Sequence, residues 1–279
     1  MEWRRQFAAA MTLWALVAAF GPPAQAQYGG GTGALEDPYE HDTAGPRAIG
    51  LRIRPKPPQF DHGSGTIKDP YQIYTAEDLN RVARESMVAH YKLMADIDLS
   101  VFKGTDFNII GSPDWPFRGT FDGNGHTISN FTFDTSTWRD NGIGLFGAVS
   151  NPNAEIKDLR LVDPNVCLEA GFYVGAFVGS LTEGTIRDCR VEGGRIIAAS
   201  AFGENVGGLV GFNAGRIINC HASCIVTANR QVGGLVGMNC GTLARWDDIE
   251  DTDSGVITDC SATGDVNGNT YVGGLAGYN

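Results

Sequence analysis

One short phrase recurs along this chain, and it limits the fold more than any other feature. Residues 206–211 read VGGLVG, residues 232–237 repeat it, and residues 272–277 read VGGLAG. A looser copy, VGAFVG, covers 174–179, and a worn one, GIGLFG, covers 142–147. Successive copies start 32, 32, 26 and 40 residues apart. A period of this size marks a solenoid, because so small a unit cannot bury its apolar face alone and has to stack on its neighbours.

After each phrase comes a segment with matched columns, at 156–161, 186–191, 217–222 and 257–262. Ile opens each segment, Asp or Asn follows two residues later, and Leu or Cys comes next. These segments are read as a second strand, and Ile225, Val226 and Val266 as parts of a third. Two to three short strands per unit predict one coil of a right-handed parallel β-helix, an all-β solenoid. Gly is abundant, with 38 residues, as close backbone approach and tight turns require. The 26-residue unit is the bare coil. The 40-residue unit carries an insertion at 244–253, and solenoid insertions loop out on one face.

The rest of the chain divides around this body. Residues 1–26 read as a secretory signal peptide: Arg4 and Arg5 open it, 7–20 are apolar, and Ala24-Gln25-Ala26 is an A-x-A cleavage site. A 14-residue apolar run is short for a membrane span. The mature chain is expected to begin at Gln27, exported from a bacterium to the outside or the cell surface, with no integral membrane segment after cleavage. Residues 27–62, rich in Gly and Pro, read as a disordered linker. Residues 63–141 are expected to form an N-terminal cap and the first coils, and 142–279 the repeat coils. In the cap, Thr75 and Asp78 form a capping-box-like pair that predicts a helix from Thr75 to about Ala89, with Leu79, Val82, Ala83 and Met87 on one face. Strands are expected at 71–74, 91–99, 108–111 and 117–121, with a turn at 122–125. The stop at Asn279, just after a Gly-rich phrase, is expected to mark a fragment, a truncated product or an end that something else covers.

The recurring phrases resemble the GLUG motif of bacterial secreted and surface proteins, and 63–75 and 111–130 resemble segments that precede such repeats. The resemblance covers about 63–279. It implies a β-helix and a cell-surface setting, as in adhesin-like proteins and the non-catalytic part of some immunoglobulin-cleaving metallopeptidases. It implies no reaction. The early copies depart from the pattern: Ile143 replaces a Gly, and 180–183 replaces the turn at 212–214.

Several residue groups compete for a functional role. Six cysteines in an exported chain suggest disulfides. Cys189, Cys220 and Cys260, however, share one column, where stacked coils place side chains pointing the same way. A buried thiol ladder of small apolar filler is the favoured reading, with a Cys224–Cys240 bridge as the alternative. No C-x2-C spacing supports zinc. Asn213, Asn239 and Asn279 share another column, expected to be a structural amide ladder. The acidic run at 247–253 is read as a solvated loop, with calcium coordination as the sharper alternative. For a sugar lyase or hydrolase the nearest carboxylates are Asp96 with Asp98, and Asp122 near His126. Both aspartates of the first pair are expected to face solvent, and Asp122 to serve its turn. No HExxH or G-x-S-x-G is present, so no catalytic, cofactor-binding or metal residues are assigned. A net charge of −11 argues against nucleic acid as a partner. The expected task is non-catalytic adhesion or contact with an extracellular protein or polysaccharide, with a carbohydrate-active β-helix enzyme as the alternative.

Overall fold

The computed structural model describes residues 60–135, 140–198, 200, 202–240 and 255–279. The signal peptide, nearly all of the linker and the acidic run at 247–253 lie outside the described residues. The described residues belong to one compact unit, Arg54–Asn279, with one hydrophobic core cluster from Phe60 to Val236.

The strands form five parallel sheets among the described residues, and from Thr120 onward the chain visits them in turn on each coil, the earlier strands joining only the first two sheets. Sheet A holds Tyr71–Ile73, Tyr91–Leu93, Thr120–Asp122, Glu155–Lys157, Thr185–Arg187, Arg216–Ile218 and Val256–Thr258. Sheet B holds Ile97–Asp98, Thr127–Ser129, Arg160–Val162, Arg190–Glu192, His221–Ala222 and Ser261–Ala262. Sheet C runs from Thr132–Thr135 through Asn165–Leu168, Arg195–Ala198 and Ile225–Ala228 to Val266–Asn267. Sheet D runs from Asp140–Ile143 through Gly171–Val174, Glu204–Gly207 and Arg230–Gly233 to Thr270–Gly273. Sheet E runs from Phe146–Val149 through Val178–Leu181, Val210–Asn213 and Val236–Asn239 to Ala276–Tyr278. Each strand pairs with its counterparts one coil before and one coil after, which is the stacking of a parallel β-helix.

Register puts like residues in vertical files. Phe121, Ile156, Ile186, Ile217 and Ile257 stack inside sheet A. Ile128, Leu161, Val191 and Ala222 do so inside sheet B, and Ile143, Val174, Val206 and Val232 inside sheet D. Nearly all of these are fully buried. The core is therefore only as thick as the side chains of one coil, and each layer is covered by its neighbours.

Five strands per coil replace the expected two to three, and the reason lies at the corners. Each segment read as a single second strand breaks in the middle, at Asp158, Asp188, Asn219 or Asp259. These four have φ of 50°, 54°, 51° and 54°. Left-handed backbone is costly for most L-residues, but Asp and Asn tolerate it because their short polar side chains bond locally. The recurrent polar column is thus a corner, and it hands the chain from sheet A to sheet B.

The Gly-rich phrase also spans two strands. In 206–211, Val206 and Gly207 end a strand of sheet D, Gly208 and Leu209 turn, and Val210 and Gly211 enter sheet E. Sheet E then lies directly on sheet D of the coil before. A methyl group at Gly211 would overlap the backbone of Tyr173 and Val174; at Gly237 it would overlap that of Asn205 and Val206, and at Gly277 that of Gln231 and Val232. The phrase persists because two backbones touch there, leaving no room for a Cβ.

At the N-terminal end the helix Ala76–Val82 is capped as expected. Thr75 accepts from the Asp78 backbone N–H, and Asp78 accepts from that of Thr75. Leu79 and Val82 are fully buried, and Met87 is buried beside them. The helix is shorter than the expected run to Ala89. Met87 O accepts from Arg118 N at 2.7 Å, and His90 N donates to Gly65 O at 2.9 Å. These pairings to other segments use backbone groups that a continued helix would bond internally, and a turn closed by Ala89 N to Ser86 O replaces it, overriding local helix propensity. The expected strand at 91–99 is two strands in two sheets, and 108–111 contributes one bridge, Ile110 to Phe146. Phe60 is already buried, against Tyr71 and Tyr91.

The close contact between sheets D and E yields a paired test. Gly211→Ala is expected to lower the unfolding free energy by about 3 kcal/mol, the upper range for an overpacked site. Gly274→Ala, whose Cβ would meet nothing within 4 Å, is expected to change it by less than ~0.5 kcal/mol. Urea unfolding of both variants measures this; equal effects would contradict the contact.

Candidate functional site

The outer faces of sheets A and B carry the densest polar arrangement among the described residues. On sheet A, Lys92, Asp122 and Lys157 alternate in sign over three coils, and Arg187 follows Lys157 in the same file. Asp122 Oδ2 lies 4.0 Å from both Lys92 Nζ and Lys157 Nζ. Lys157 Nζ is 3.4 Å from Glu155, and Arg187 Nε donates to Glu155 at 2.7 Å. Arg187 also donates to Asp188 at 2.7 Å, and Asn219 Nδ2 donates to the other Asp188 oxygen at 2.6 Å. Burial works to raise the Glu155 carboxyl, but the Arg187 hydrogen bond and the neighbouring positive charges outweigh it and hold it below its ordinary range. Asp188 is also held low, first by Asn219 and then by Arg187. The network ties successive coils together through their outward side chains.

Just past the corner, sheet B stacks Arg160, Arg190 and His221 in one file. The corner residues Asp158, Asp188 and Asn219 run beside them, each two positions earlier in its own coil. Between the two files lies a depression of about 160 Å³, lined by Gly125, Asp158, Leu159, Arg160, Asp188 and Arg190. Arg160 Nε sits 3.4 Å from Glu192 Oε1. This file escaped the sequence reading, although the D-x-R spacing repeats at 158–160 and 188–190.

The carboxylates considered for catalysis are not brought together as pairs. Asp96 is exposed and accepts from Thr127 N at 2.9 Å, with His126 Nδ1 at 3.2 Å. The Thr127 hydrogen bond, then His126, holds its carboxyl low. Asp98, also exposed, accepts from Ser100 N and Asn130 Nδ2. His126 therefore pairs with Asp96, not with Asp122, which belongs to a strand of sheet A and faces two lysines. Each carboxylate serves a corner or a neighbouring coil. Among the described residues no group of three or more His, Cys, Asp or Glu side chains could hold a metal ion.

The two expected ladders are present. Asn213 Nδ2 donates to Asn239 Oδ1 at 2.7 Å, and Asn239 Nδ2 donates to Asn279 Oδ1 at 2.6 Å. Cys189, Cys220 and Cys260 follow one another in register behind Leu159, and none of the six cysteines forms a disulfide, so Cys224 and Cys240 are not bridged. Cys189 and Cys220 are buried. The hydrogen bond with Cys189, together with burial, pushes the Cys220 thiol up to about 12, and burial does the same for Cys224.

Fold and surface together define a β-helical repeat protein with a rung-by-rung polar face. The GLUG motif matches residues 170–197 and 202–227, so the chain carries GLUG-motif repeats, and the matched segments include the phrases at 174 and 206. Among curated proteins it is similar to halomucin of Haloquadratum walsbyi, 33% identical over 165 residues, which is 56% of this chain but 2% of that much longer protein. Among solved structures it resembles a Bacteroides ovatus protein provisionally described as an immunoglobulin A1 protease. The TM-score is 0.58 at 23% identity, covering 78% of this chain and 64% of the other, a likeness of fold.

The thiol file is open to a direct chemical test. In the native protein at pH 8, Cys189, Cys220 and Cys224 are expected to resist Ellman's reagent and to react once guanidinium unfolds the chain, because all three are buried away from the reagent and the raised Cys220 and Cys224 thiols carry little thiolate. Mass mapping of labelled cysteines checks it; rapid native labelling of Cys220 would contradict the buried file.

Proposed function

We propose that this chain is an exported, non-catalytic β-helical interaction module that works outside the cell, in adhesion or another contact with an extracellular protein or polysaccharide. One observation carries the reading. Asp96, Asp98, Asp122, Glu155 and Asp188 on the outer face are each tied to an arginine, lysine, histidine, amide or backbone N–H group, so most of this surface is a rigid display rather than a set of groups poised for proton transfer. Two further features support it. The N-terminal 26 residues have the layout of a secretory leader, and the chain shares 33% identity over 165 residues with halomucin. The fold alone does not choose between display and chemistry, since unrelated functions share scaffolds.

The test uses the full chain expressed with its leader in a bacterial host. The product is expected outside the cytoplasm, beginning at Gln27 by N-terminal sequencing. The purified mature protein is expected to bind saturably to the surface of the producing cells or their extracellular matrix, and to leave matrix polysaccharide uncut. Cytoplasmic retention, absence of surface binding, or release of oligosaccharides would overturn the reading.

A further inference from the structure

We infer that the corner between sheets A and B is a binding groove for a neutral, hydroxyl-rich glycan that lies along the stack of coils. The inference rests on the extracellular-interaction reading and gives it a site and a ligand class.

The groove repeats with the fold. Asp158 with Arg160, Asp188 with Arg190, and Asn219 with His221 occupy matching places in three successive coils, an oxygen acceptor at the corner and a nitrogen-bearing side chain two residues on. Adjacent coils are ~4.8 Å apart, so these pairs recur at a step comparable to the length of one sugar ring. Planar carboxylate, amide, guanidinium and imidazole groups suit vicinal hydroxyls, each of which can donate to an Asp oxygen while accepting from an Arg N–H.

Free capacity sits in the middle of the groove. Asp158 and Arg190 make no side-chain hydrogen bond or ion pair among the described residues; Asp158 acts only through its field on Arg187. Arg190 stacks directly over Arg160, and like charges in register repel unless something lies between or beside them. Leu159 contributes an apolar floor, and the Gly125 side is open, since a Cβ there would meet nothing within 4 Å.

Charge decides the ligand class. Asp158, Asp188 and Glu192 balance Arg160, Arg187 and Arg190 around the depression. A polyanion would meet the aspartates, a polycation the arginines, and the chain as a whole carries −11. A neutral polyhydroxyl chain meets donors and acceptors alike. The depression, about 160 Å³, is well below the ~300–1,000 Å³ of enclosed small-molecule pockets, which fits one ring of a longer chain rather than a free small molecule.

The test uses the full mature chain on immobilised mannan, galactan, xylan and dextran, with polygalacturonate as the acidic comparison. At least one neutral polysaccharide is expected to be retained, with little change between 50 mM and 500 mM salt, roughly from well below to well above physiological screening. Asp158→Gly, which keeps the left-handed corner, and Arg190→Gln are each expected to weaken retention by about tenfold, the loss of one charge-assisted hydrogen bond. Both variants should retain the wild-type melting temperature, and Arg84→Ala, on the exposed end of the cap, should bind as wild type. Retention of no neutral polysaccharide, retention of polygalacturonate alone, or retention unchanged in both groove variants overturns the inference. The same variants separate it from the broader reading: surface binding that survives Asp158→Gly and Arg190→Gln leaves an extracellular module without this groove, whereas loss of wild-type surface binding removes the module itself.

Discussion

Every level of this structure depends on the parallel hydrogen-bond ladder between successive coils. A single coil of 26 to 32 residues sends a few apolar side chains inward and leaves them open above and below. Pairing each strand with its counterparts in the next coil satisfies the backbone groups and closes the core in the same step. That is why the inward files are uniform in kind, such as Ile156, Ile186 and Ile217, and why they are buried even though the strands are only two to four residues long. Polar files obey the same register, so the buried Asn213 and Asn239 bond in line with Asn279, and Lys92, Asp122 and Lys157 alternate in sign on the outer face of sheet A.

The second constraint acts within the cross-section. Sheets D and E fold back onto each other with backbone in contact, so Gly211, Gly237 and Gly277 cannot vary. The outer edge of this flap is freer. The file Ala148, Ser180, Phe212, Met238 and Tyr278 changes size from coil to coil, and the residues facing it change with it: Tyr173 packs edge-on against Phe212, Gln231 reaches Met238, and Tyr271 meets Tyr278. Invariance in the phrase therefore reports a steric limit, and it carries no direct information about a ligand. Ligand chemistry has to be sought where columns repeat without a packing reason, which is what distinguishes Arg160 and Arg190.

Much of this was legible in the residues. The period announced stacking, the Ile and Cys columns announced register, and the Thr75–Asp78 pair announced the helix start. What escaped was the number of strands. Periodicity in 156–161 shows alternating burial on both sides of Asp158, and nothing in that alternation says that the backbone turns there. The clue was chemical: a column restricted to Asp and Asn, the residues that accept positive φ. The early end of the helix could not be read locally either, because it is imposed by Arg118 and Gly65, which are remote in sequence. The polar groove was hidden for a related reason, since Asp158 and Arg160 look like two residues of one strand, whereas Asp158 is the corner and Arg160 opens the next sheet.

Register over many coils is the heart of the account, and distances between spin labels measure it most directly. Thr120 and Val256 stand four rungs apart in one file of sheet A, through Glu155, Thr185 and Arg216. Labels at these two positions are expected to give one narrow distance with a backbone separation of about 19 Å, four steps of ~4.8 Å. A separation beyond about 30 Å, or a broad distribution, would mean that the coils do not lie in register, and the files, the corners and the groove would fall with them.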